Sequence, residues 1–131
     1  MSLGTWDPSA AAEPSLDAAA LSTLLAAAES DADNFGLSPS DVQSLAPLAR
    51  DGSVWKAAAT DLEDAQLVSL VRLFTVAEGR FDAWKADAKS PVIALAAELR
   101  RRGSYPEELT AWIKANSSNR FLPWGSLLDR L

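Results

Sequence analysis

The side chains that carry out most enzymatic chemistry are missing from this chain. It has no histidine and no cysteine. That removes the commonest general base, the usual transition-metal ligands, the thiolate nucleophile and the ordinary catalytic triads. The six glycines are scattered and build no phosphate-cradling loop. Chemistry, if any, falls to carboxylates, arginines and lysines.

Four groupings of such residues stand out. Glu78 and Asp82 are four residues apart and share a helix face if the helix continues past Gly79. Two carboxylates in unlike environments can divide acid and base roles, with Arg80 and Lys85 nearby. The plainer reading is a solvated charged face with local ion pairs. Asp31, Asp33 and Gly36 fall at the first, third and sixth positions of a calcium-binding loop. Phe35 stands where the fifth ligand belongs, Val42 where the bidentate glutamate belongs, and Pro39 interrupts the loop, so no metal is expected. Arg100, Arg101 and Arg102, with Lys89 and Lys114, form a candidate basic patch beside the turn Gly103-Ser104-Tyr105-Pro106. Helix, turn and helix could read DNA, but the second helix opens Pro106-Glu107-Glu108 and turns acids toward phosphate. The alternative is that the arginines serve the negative end of a helix dipole. The last grouping is Arg120-Phe121-Leu122-Pro123-Trp124-Gly125, whose aromatics, arginine and rigid proline have the composition of a recognition surface. Together with Trp84 and Tyr105 it is a candidate apolar groove; the competing reading is that this segment seals the core.

Elements must hold these residues, and the composition says which kind. At 131 residues the chain is one domain by length, large enough to bury most of its apolar surface without staples. Its hydrophobic content of 48% is dominated by Ala and Leu, which favours helix over sheet. The stretch Thr60–Phe81 organises the rest. Leu67, Leu70, Val71, Phe74, Ala77 and Phe81 recur at helical spacing, and Val68, Leu73 and Val76 widen the apolar face. Only Gln66, Ser69, Arg72 and Thr75 are left as a polar strip, so the helix is predicted to be central and buried. Thr60 and Glu63 read as its capping box.

Around it, Ser15 is predicted to cap a helix to about Glu29, with Leu16, Ala20, Leu21, Leu24, Leu25 and Ala28 on one face. Ser38, Pro39 and Asp41 start another, which Pro47 shortens or kinks. Asp51-Gly52 is a turn before a brief helix that sends Trp55 inward. Ser90-Pro91 starts a helix closed by Gly103, and Pro106 opens one whose inner face is Leu109, Trp112 and Ile113.

The net charge of −6 is unevenly spread: residues 1–66 hold eleven acids and only two bases, Arg50 and Lys56. Overall acidity disfavours nucleic acid as a partner. No basic-then-apolar leader and no apolar run of membrane-spanning length is visible, so a cytoplasmic location is expected. The absence of cysteine fits a reducing compartment.

The phrases KSPVI (Lys89 to Ile93), LTAWIKAN (Leu109 to Asn116) and NRFLPWGSL (Asn119 to Leu127) resemble the C-terminal half of small, uncharacterised, all-helical bacterial proteins. The resemblance covers about half the chain, from residue 64 onward, and implies no activity, cofactor or site residue.

The reading that results is all-α. It is a bundle of about five to seven helices around a buried one near residues 61–78, with residues 1–14 as a flexible tail and 15–131 as the single domain. The expected function is non-catalytic and needs no cofactor: binding of a protein partner or a second copy through helical surface and the C-terminal aromatics. The alternatives are a small-molecule or hydrolytic site of Arg120, Trp124, Trp84 and an acid such as Glu78 or Asp82, and weak nucleic-acid binding by Arg100, Arg101 and Arg102.

Overall fold

The computed structural model describes residues 16–30 and 33–117. Among them are six α-helices and no strand: α1 (Ala18–Ala28), α2 (Pro39–Ala49), α3 (Gly52–Ala59), α4 (Asp64–Arg80), α5 (Pro91–Arg102) and α6 (Leu109–Asn116). Two short 3-10 turns, Asp82–Trp84 and Asp87–Lys89, link α4 to α5. The predicted tail, the Ser15 cap, Asp31 and the stretch from Arg120 to Gly125 lie outside the described residues.

Local chemistry sets the helix ends. Asp17 caps α1, its carboxylate accepting from the Ala20 N–H at 2.7 Å. At α2, Ser38 Oγ accepts from Asp41 N at 3.0 Å and the Asp41 carboxylate accepts in return from Ser38 N at 3.3 Å, a reciprocal capping box. Pro47 is carried inside α2. Ser90 Oγ accepts from Val92 N at 3.2 Å to start α5, with Pro91 at its first position. Gly103, at φ 73°, closes α5. Gly103 N donates to Arg100 O and Ser104 N to Leu99 O, the paired bonds of a left-handed helix stop.

The centre is α4, and it packs against α1, α5, α6 and the Asp82–Trp84 turn. Leu67, Leu70, Val71, Phe74 and Ala77 are all fully buried, as their spacing predicts. Trp55 and Trp84 flank Phe74, with ring centroids 5.1 and 5.9 Å away. Each indole also satisfies its N–H: Trp55 Nε1 donates to Leu48 O at 3.0 Å and Trp84 Nε1 to Val42 O at 2.8 Å. These bonds let two bulky aromatics go inside without an orphaned donor.

Three local expectations are corrected. The cap of α4 is Glu63, not Thr60, and Glu63 N donates to the Gln66 side-chain oxygen at 2.9 Å. Thr60 instead ends α3, and the turn that follows buries Leu62. Thr75, read as polar strip, is 1% exposed; its hydroxyl donates to Val71 O at 2.7 Å and so needs no water. Gly52 sits in the first turn of α3, where an added Cβ would lie 2.9 Å from Lys89 O. A glycine is required there by the close approach of two segments.

Candidate functional site

The four sequence groupings fare differently. Glu78 and Asp82 do not share a helix face, because α4 stops at Arg80 and Phe81 is extended (φ −112°, ψ 108°). Phe81 turns its ring toward Trp84 (centroids 5.1 Å apart), and the chain must bend to place it there. Glu78 is 5% exposed and accepts a hydrogen bond from the Ser90 hydroxyl, whereas Asp82 is exposed. The two carboxylates occupy different surroundings and face no common substrate space.

Trp84 is 0% exposed, locked between Phe74 and Phe81. It is a core residue, so it lines no open groove. Tyr105 is half-buried, its hydroxyl 2.9 Å from Thr110 Oγ1 and its ring face covered by the Arg100 guanidinium at 4.4 Å. Arg120, Phe121 and Trp124, the remaining members of that grouping, lie outside the described residues.

The calcium-like loop is turned into a left-handed backbone turn: Asn34, Phe35 and Gly36 have φ of 55°, 60° and 73°. Phe35 is an aromatic anchor, edge-on to Phe81 at 6.0 Å and under the Arg80 guanidinium at 5.4 Å. Among the described residues, no three acids gather closely enough to hold a metal.

The three arginines do not form one open patch. Arg102 is anchored on four groups. It donates to the Glu98 carboxylate at 2.7 Å, to Asp64 at 2.9 Å, to Ala59 O at 2.9 Å and to Thr60 O at 3.3 Å. It thereby ties the end of α3, the start of α4 and the end of α5 together. Arg101 bonds Glu98, and Arg100 covers Tyr105. Glu98 is pushed down to about 2, first by Arg101 and then by Arg102. Asp64 is also lowered, by the Ser104 hydroxyl and then by Arg102. Lys89 is separated from this cluster by the length of α5, about 18 Å for a 12-residue helix.

What the structure does bring together, and the sequence grouping missed, lies at that other end. Between α3 and the start of α5 is an open cleft of about 860 Å³. Its floor is Ile93, Ala94 and Ala97 of α5, with Pro47 at one side. Its rim carries Arg50, Lys56 and Lys89. Asp51 is the acid at this rim; its carboxyl is held below the ordinary range, chiefly by the Ser53 hydroxyl and least by the charge of Lys89. Among the described residues, no hydrogen bond or ion pair engages the Arg50, Lys56 or Lys89 side chain. Ser90 is the deeply buried polar side chain in the wall, and its hydroxyl is taken by Glu78 and by the α5 cap. The cleft therefore offers positive charge and small apolar contacts; the Ser53 hydroxyl and the Asp51 carboxylate in its lining are paired with each other at 2.5 Å as part of the α3 cap. One signal for it was present in the sequence: Arg50 and Lys56 are the two bases of the first 66 residues, and both come to this rim.

Compared with protein-family models, curated proteins and solved structures, the chain matches none.

Proposed function

We propose that this protein acts by binding another protein, or a second copy of itself, through its helical surface, and that the cleft between α3 and α5 seats the partner. The observation that carries this reading is a concave, apolar-floored surface whose rim cations have no bond within the described fold. Charged groups not used for folding, beside an apolar floor, are what an interface needs for orientation and contact area. The C-terminal aromatics Phe121 and Trp124, with Arg120, belong to the same reading as a second contact region. A bacterial, cytoplasmic protein without a cofactor is the setting this reading assumes; the lack of cysteine fits a reducing compartment. No described helix is long and apolar enough to cross a membrane.

The test is steric. Ala97 is exposed on α5, so Ala97→Trp fills the cleft without touching the core. The expected result is a partner or dimer, quantified by cross-linking and solution mass, that the wild type holds and Ala97→Trp loses. Trp124→Ala measures the C-terminal contribution in the same assay. Identical mass and identical cross-links for all three proteins would remove the reading.

A further inference from the structure

Resting on that reading, we propose that the cleft is selective for an acidic amphipathic segment: a peptide carrying carboxylates beside one or two apolar side chains. Three observations point to this chemistry.

The first is charge placement. The chain is acidic overall, at −6, and its first 66 residues hold only Arg50 and Lys56 as bases. Both stand on one rim, and Lys89 completes it from the far side of the sequence. A small positive region on an acidic protein repels basic and favours acidic partners, and it orients them on approach.

The second is that no hydrogen bond or ion pair ties these cations down among the described residues, although the charge of Lys89 acts weakly on the Asp51 carboxylate. Arg72 lies over Trp112, Arg80 over Phe35 and Arg100 over Tyr105, while Arg101 and Arg102 hold Glu98. The rim cations have no such engagement among the described residues. The stems of Lys56 and Lys89 can lie along an apolar partner while their ammonium groups reach carboxylates.

The third is the floor. Ala94 and Ala97 are small, so a partner backbone or helix can approach α5 closely, and Ile93 supplies an apolar contact. A small-molecule site would need several buried polar groups converging on one point. Here the buried wall hydroxyl, Ser90, is already committed to Glu78 and the α5 cap. Nucleic acid fits less well. Asp51 interrupts the rim, and a chain of this net charge repels a phosphate polymer over its remaining surface.

The experiment uses the full chain and fluorescein-labelled helical peptides of about four turns. One has Leu on one face and Glu on the other, a second has Lys for Glu, and single-stranded DNA is the third probe. Binding is read by anisotropy and located by amide chemical shifts. The acidic peptide is expected to bind and to shift Gly52, Ile93, Ala94 and Ala97. Lys56→Glu with Lys89→Glu is expected to weaken it about tenfold, since two rim pairs become repulsive. The milder Lys56→Gln with Lys89→Gln gives a smaller loss, and Arg100→Glu, at the opposite end of α5, gives none. No shift at the cleft, equal binding of the Lys peptide, preference for DNA, or indifference to charge reversal would each overturn the proposal. The two readings remain separable. If Ala97→Trp abolishes a partner that the charge-reversed protein still binds, the chemistry is wrong and the docking surface stands. If neither variant matters, both fall.

Discussion

The two ends of α5 use positive charge in opposite ways. At its C-terminal end, Arg102 joins three helices and Arg101 shares Glu98 with it. At its N-terminal end, Lys89 looks into a cleft with Arg50 and Lys56, and none of the three has a hydrogen bond or ion pair among the described residues. The arginines sit at the negative pole of the helix dipole beside unfilled carbonyls, where a planar multi-donor group can satisfy several acceptors at once. Arg50 and Lys56 also stand at helix C-terminal ends, those of α2 and α3, but no hydrogen bond or ion pair holds their side chains or that of Lys89 among the described residues. One end is thus organised for folding, and the other keeps cations that no hydrogen bond or ion pair engages among the described residues, which is the basis of the proposed docking.

The largest effect should come from removing what both ends share. Leu99 is fully buried in α5, and Leu99→Ala is expected to cost about 2–5 kcal/mol in urea unfolding. A loss confined to one end by hydrogen exchange, with the other still protected, would break the comparison.

Next is Gly52→Ala at the cleft end. Its Cβ would meet the Lys89 carbonyl at 2.9 Å, and overpacking against backbone costs about 1–3 kcal/mol. The same variant should displace Lys89 and alter binding, unlike a substitution at the arginine end. A variant as stable as wild type would show that the two segments can part freely.

A pH series sharpens the contrast at the arginine end. Glu98 ionises near 2 in the fold, below the ordinary value of 4.5. A depressed carboxylate contributes stability that is complete above its unfolded pKa and is lost as pH falls through the folded one. Glu98→Gln is therefore expected to be less stable than wild type at pH 7, with the gap closing as pH falls from about 4.5 to about 2. A gap that stays constant over that range would mean Glu98 acts by shape and not by charge.

The fold was legible where local chemistry decides it. Ser38-Pro39 with Asp41, Ser90-Pro91 and Gly103 end helices through groups within a few residues of one another. The period of Leu67, Leu70, Val71, Phe74 and Ala77 identified the buried face of α4. What escaped depends on distant partners. Thr60 looked like a cap because its context was read forward, whereas α3 behind it claims that residue. Glu78 looked like surface charge, and its burial rests on Ser90, which arrives by way of two turns. Trp84 looked available for binding, and Val42 O in α2 accepts its indole N–H and helps hold it in the core. The cleft escaped for the same reason: Arg50, Lys56 and Lys89 come together only after α3 packs on α5.

The measurement that bears most directly on this division is the urea midpoint of two variants side by side, Arg102→Ala and Lys56→Glu with Lys89→Glu. The account predicts a large drop for Arg102→Ala and a change within about 0.5 kcal/mol for the charge-reversed pair, as for surface residues without partners. A reversed order, with the lysine pair costing more than the arginine, would mean that the rim cations hold the fold together and are not free to receive a partner.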